Sequence, residues 1–195
     1  MNLIIVQARM NSSRLPGKVL KHVQGIPILK MLIKRIKLSE KANKIVIATT
    51  PNGKDKKIID FCINNKIEYF IGDENDVLDR YYNCAKFYKC KNIIRITSDC
   101  PLIDPKVIDK TVELYETSSA DYASNTTPPE TRRWPDGSDV EVFSFAALEV
   151  AHTYTLKKDR EHVTFYFWKN DNKFKISQLE NKYDWSSYRY TIDYE

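Results

Sequence analysis

The chain has 195 residues, 42% of them hydrophobic and 29% charged, with 31 basic side chains against 26 acidic ones and a formal net charge of +5. That length supports one domain with a full core, and that mix excludes global disorder. The lysines are scattered, so the charge reads as a solvated surface and excludes a massed nucleic-acid platform. No apolar run reaches the roughly 18–20 residues of a membrane helix.

Leu3 to Gln7 is short and apolar, a fully buried strand, and it runs into the polar loop Gln7–Lys18. Gly25-Ile26-Pro27 predicts a turn with proline at a helix start, and Ile28, Leu29, Leu32, Ile33 and Ile36 recur at helical spacing. Lys44–Thr49 is the second strand, closed by the turn Pro51-Asn52-Gly53, and a helix is predicted over 54–64 with Ile58, Ile59 and Cys62 inward. Ile67–Ile71 is a third strand. Asp76 suits the N-cap of a helix carrying Val77, Leu78, Tyr81, Tyr82 and Ala85 on one face. Asn92–Thr97 is the fourth strand, and Pro105 opens a helix with Val107, Ile108, Val112 and Leu114.

This β-α-β-α-β-α-β-α order predicts a doubly wound α/β sheet, mostly parallel, with the loops after its strands gathered at one edge. Past residue 117 the pattern loosens. Strands are expected over 121–124, 140–143, 174–179 and 188–192, and helices over 145–154 and 159–168. A long Pro-, Thr- and Arg-containing loop spans 125–138. The whole reads as one domain over 1–195, with a regular half (1–117) and a looser half (118–195). Cys62, Cys84, Cys90 and Cys100 have no C-x-x-C spacing, and no leader precedes the first strand, so a cytoplasmic protein with reduced, structural thiols is expected.

Two loops carry chemistry. Gln7–Lys18 places Arg9, Arg14 and Lys18 beside Ser12 and Ser13 at the carboxyl end of the first strand, where open α/β sheets bind ligands. It is neither a Walker loop nor a dinucleotide fingerprint, since Gly17 is its only glycine, so side-chain cations must do most of the phosphate binding. A surface loop with scattered cations is the competing reading. The second loop follows the fourth strand. Asp99 there suits a divalent metal, which takes one or two carboxylates plus phosphate oxygens, or else a turn residue; Asp104 suits the cap of the next helix.

Gln7–Lys18 closely resembles the N-terminal signature of the cytidylyltransferases that make CMP-sugar acids, the CMP-Kdo and CMP-sialic acid synthetases. It is most similar to their spore-coat polysaccharide SpsF-like branch, with its pattern Q-A-R-M-x-S-x-R-L-P-G-K. Segments 72–81, 95–104, 135–143, 160–164 and 191–193 match the branch in the same order, so the resemblance covers nearly the whole chain. Asn11 and Ser98 depart from it where small residues are common, and related chains continue past Glu195 with an acidic segment and a final helix.

The resemblance implies a three-layer α/β/α nucleotide-diphospho-sugar-transferase-like (Rossmann-like) fold and a homodimer. It implies CTP bound by Ala8, Arg9, Ser12, Ser13, Arg14, Lys18 and Arg80, with Mg2+ on Asp99 and Asp193. Asp139, Glu141, Arg160 and His162 would face an anionic small-molecule acceptor. Arg14, Lys18 and Asp99 would be the catalytic set. CMP would pass to a sugar acid or related anion with loss of pyrophosphate, without nucleic acid or membrane as partner. A lone His162 beside aromatic residues is more often structural. A glycosyltransferase of the related fold would need an Asp-x-Asp-like motif, which Asp99-Cys100-Pro101 does not offer. A non-catalytic CTP-binding subunit is the other alternative.

Overall fold

The structure, a computed structural model, describes residues 1–12 and 14–194. Strand β1 (Asn2–Gln7) is flanked by β4 (Lys44–Thr49) and β6 (Asn92–Thr97), both parallel to it, and β5 (Glu68–Ile71) extends the sheet beyond β4. On the other side β8 (Glu141–Ser144) pairs antiparallel with β6 and with β7 (Tyr122–Ser124). Strand β9 (Ile176–Gln178) pairs parallel with β7. The seven-stranded order β5-β4-β1-β6-β8-β7-β9 carries both halves of the chain in one sheet, mostly parallel as predicted.

Two helical layers cover it. Helices α1 (Ile28–Ile36), α2 (Lys56–Asn64) and α4 (Pro105–Ser118) pack against Ile4, Val6 and Ile94 on one face. Helices α3 (Val77–Phe87), α5 (Phe145–Tyr154) and α6 (Phe165–Trp168) pack against Leu3, Ile5 and Ile93 on the other. The helical spacing of Ile28, Leu29, Leu32, Ile33 and Ile36 is what puts all five in the core, each contributing about 1.5–3 kcal/mol by burial. Asp76 and Asp104 cap α3 and α4 as predicted, accepting from the Asp79 and Lys106 backbone N–H groups at 2.8 and 2.9 Å. All four cysteines are buried and unpaired, and burial alone pushes the Cys62 thiol up to about 12.

Four local expectations change. Ile26–Pro27 is not a turn but β3, paired with β2 (His22–Val23). The turn is Gln24-Gly25, both at positive φ as a type I′ hairpin requires. Residues 54–64 begin as a 3-10 turn over Gly53–Asp55 before α2. The helix expected over 159–168 shrinks to α6, because the Arg160 carbonyl is taken by the Leu78 N–H (3.0 Å) and leaves any helical ladder. The strand expected over 188–192 is reduced to one bridge at Arg189. Its bonds go to two different partners, since Tyr190 N donates to Asp136 O and Ile192 N to Asp99 O (2.9 Å), so no continuous ladder forms.

Candidate active site

The loop after β1 leaves the sheet edge and folds back on itself. The Met10 carbonyl accepts from the Ser12 and Gly17 N–H groups (3.0 and 2.8 Å), and Gly17, at φ +72°, turns the chain so that Lys18 re-enters the body. The Lys18 side chain is buried. Its ammonium donates to Asp99 Oδ2 at 3.2 Å, to Asp193 Oδ1 at 2.9 Å and to the Ile192 carbonyl at 2.8 Å. Three segments far apart in sequence thus meet at one nitrogen.

The carboxyl-terminal segment is held in place around that point. Asp193 is 5% exposed and takes Arg14 at 3.2 Å and Arg189 as well as Lys18. Arg189 also pairs with Asp136 at 3.1 Å. Gly137, at φ +100°, lies so near this segment that an added Cβ would sit 2.7 Å from the Thr191 nitrogen. Burial pushes the Asp193 carboxyl up, and Lys18, Arg14 and Arg189 outweigh it, holding the group below the usual carboxylate range.

Beside this cluster lies a cleft of about 260 Å³. Among the described residues its lining includes Arg9, Arg14, Lys18 and Arg80 against two carboxylates, Asp99 and Glu161, so the cations predominate. Ala8 and Ser12 also line it; Ser13 lies outside the described residues. Arg80 is 1% exposed. It donates to the Asp73 carbonyl at 2.8 Å, while its Nε has no partner, and burial lowers its pKa. Gly72 is what admits it, since a Cβ there would stand 2.8 Å from Arg80 Cγ. Sequence reasoning missed Glu161, which reaches Arg9 at 3.3 Å across the cleft mouth. Its position beside Arg160 and His162 in a matching segment was the available signal.

The residues expected on the acceptor side are placed differently. Glu141 on β8 is enclosed: it accepts from Arg95 on β6, from the Tyr122 hydroxyl at 2.7 Å and from Thr164 at 2.5 Å. Burial works against the charge of Arg95, and Glu141 more than offsets it, raising the guanidinium's pKa. Arg95 also donates to Gln7 Oε1 at 3.3 Å. A guanidinium has donors only, so the Gln7 carbonyl must face it. Gln7 itself lines the cleft.

Asp139 accepts from Thr126 and from the Gly137 N–H (2.8 and 2.7 Å), and burial raises its pKa. Arg160 binds Asp76 at 2.5 Å and the His152 carbonyl at 2.6 Å, while the exposed His162 ring stacks on Phe165. None of these four lines the cleft, so the nucleotide set converges there while the acceptor set is spread around it.

Asp99 and Asp193 share one cation, and two carboxylates are the donor set that Mg2+ accepts when phosphate and water complete its shell. Among the described residues no group of three His, Cys, Asp or Glu side chains could cage a metal without such a substrate. Nor is any helix there long and apolar enough to cross a membrane.

Known proteins share this sequence and fold. Residues 3–194 match the cytidylyltransferase family. An uncharacterised protein of Methanocaldococcus jannaschii, MJ1063, is 42% identical over 90% of this chain and 70% of its own. The spore coat polysaccharide biosynthesis protein SpsF of Bacillus subtilis is 31% identical over 98% of this chain and 80% of its own. A solved cytidylyltransferase from Leptospira borgpetersenii superposes with a TM-score of 0.91 at 36% identity, covering 98% of this chain and 81% of the other. The fold, the cationic loop and the matched sequence agree: the chain belongs to the cytidylyltransferase family, as a CTP-dependent nucleotidyltransferase.

Proposed function

We propose that the protein is a Mg2+-dependent cytidylyltransferase that moves CMP from CTP to a sugar acid or a related anionic acceptor, for surface polysaccharide or glycan biosynthesis. The observation that carries this reading is the meeting of Lys18, Asp99 and Asp193 at one nitrogen beside a cleft lined by Arg9, Arg14 and Arg80. Four cations in one cleft exceed what a neutral ligand requires and suit a triphosphate.

In the reaction an acceptor hydroxyl oxygen bonds to the α-phosphorus of CTP. The bond from that phosphorus to the bridging oxygen breaks, pyrophosphate leaves, and the hydroxyl proton passes to solvent. Such transfers depend on positioning and on neutralising charge. Arg14 and Lys18 stabilise the departing pyrophosphate; Arg9 and Ser12 hold the phosphates, and Arg80 offers its charge to the nucleotide. Mg2+, held by Asp99 and Asp193, would supply Lewis-acid neutralisation of phosphate charge.

Asp139, Glu141, Arg160 and His162 serve the acceptor side through their surroundings. Glu141 orients Arg95 and through it Gln7, Arg160 braces the α3 N-terminus, and Asp139 holds the turn at Gly137. A homodimer fits the aromatic surface of Tyr183, Trp185, Tyr188 and Tyr190, each at least 44% exposed. The reaction belongs in the cytoplasm, where CTP is available.

The test is pyrophosphate release with CTP, Mg2+ and a panel of sugar acids and phosphorylated sugars. One acceptor class should support turnover, and Asp99→Asn should lower it by about 100-fold or more. Full activity of that variant would remove the metal assignment.

A further inference from the structure

Among the described residues, the backbone of the loop from Arg9 to Gly17 bonds mostly within the loop and to the turn that follows it. Its internal bonds close on the Met10 carbonyl, which accepts from Ser12 and Gly17. Among the described residues, the backbone groups of this stretch bond no farther along the chain than Leu20, with one exception. That is the Met10 N–H, which donates to Asp55 Oδ1 at 2.6 Å. Asp55 lies in the turn between β4 and α2, is 1% exposed and does not line the cleft. Its second oxygen accepts from the Thr50 hydroxyl at 2.5 Å, and Thr50 is fully buried. Both oxygens are thus committed, one to the scaffold and one to the loop. A neighbouring brace runs parallel, since Glu74 accepts from Asn52 at 2.9 Å and from Asn11 at 3.4 Å.

A carboxylate withdrawn from water costs stability unless its bonds are returned with interest, and an amide N–H given to a charged oxygen is among the stronger bonds available. Here that cost is spent on a loop whose own function is to bind anions. We infer that Asp55 is a positioning residue for the reaction: by pinning the Met10 peptide it fixes the loop that presents Arg9, Ser12 and Arg14 to the triphosphate. A negative group so near a phosphate site is tolerable because it is buried and does not line the cleft. It also attracts the buried charge of Arg80. This inference rests on the cleft being the CTP site.

The experiment titrates CTP and CMP calorimetrically into the wild type, Asp55→Ala, Asp55→Asn and Lys18→Met. Asp55→Ala should weaken CTP by about 10- to 50-fold, the loss expected from orphaning a buried amide, and CMP by less than about 3-fold. Asp55→Asn should stay within about 3-fold of wild type for both, since its carbonyl still accepts from Met10 and its amide can donate to the Thr50 oxygen. Unchanged CTP binding by folded Asp55→Ala, or an equal loss for both ligands, would overturn the inference. If Asp55→Ala does not fold, hydrogen exchange at the Met10 amide of the wild type decides. Slow exchange in the free protein is expected, and exchange at the rate of an open loop would overturn the tether. Lys18→Met binding CTP as the wild type does would instead remove the triphosphate reading, and this inference would fall with it.

Discussion

Two charged clusters sit at the carboxyl edge of the same sheet, and they differ in what completes them. Around Glu141 every partner comes from the protein: Arg95, Tyr122 and Thr164 surround a carboxylate 6% exposed. Around Lys18 the carboxylates of Asp99 and Asp193 are shared between several cations, and Arg14, 52% exposed, opens on a cleft with positive charge to spare. The first cluster is closed, and its charges cancel within the fold. The second is open, facing a cleft in which cations outnumber carboxylates among the described residues. Buried charge alone therefore does not mark a binding site. Charge left incomplete beside a cavity does.

Substitutions separate the two. Glu141→Gln should carry the larger stability cost, about 3 kcal/mol, because it strands the Arg95 charge inside the fold. For a chain of this size that is a fall in melting temperature of about 6–12 °C, readable by calorimetry. Turnover per folded molecule should change far less, and a large loss of turnover at unchanged stability would mean Glu141 meets substrate directly.

A smaller effect belongs to Asp193. Its folded-state pKa lies below the unfolded value, so the stability it contributes is present above the unfolded pKa and fades as pH falls through the folded one. The stability gap between wild type and Asp193→Asn, measured by denaturant unfolding, should be full at pH 7 and should begin to close below about pH 4. A gap that persisted in acid would show that the carboxylate's charge is not what docks the terminal segment.

The open cluster was largely legible in the sequence, and the closed one was not. Arg9, Arg14, Lys18 and Asp99 stand in loops after predicted strands, where a polar run interrupts apolar ones and where parallel topology gathers ligand groups. Asp193 joined them only through the family resemblance, because nothing local indicates that a residue 175 positions from Lys18 folds back to it. Arg95 sits inside an apolar strand, so its pairing with Glu141 appears only once β6 and β8 are placed side by side. Asp55 was absorbed into the start of a helix, since its partner is a backbone N–H 45 residues away and no pattern of side chains reports that. The helical spacing and caps of the first half reflect local rules and were read nearly to the residue. The shortened helix after 159 and the bridged segment near 189 depend on which distant groups capture their carbonyls and amides.

The measurement that bears most directly on the open cluster is the calorimetric titration of CTP and CMP into wild type and Arg14→Met. Arg14 is exposed, so its loss should leave the fold and thermal stability unchanged. If the cleft is a triphosphate site, wild type binds CTP far more tightly than CMP. Arg14→Met then loses about 10- to 100-fold for CTP while CMP moves less than about 2-fold. Equal affinity of the wild type for CTP and CMP, or a variant that binds CTP unchanged, would contradict it.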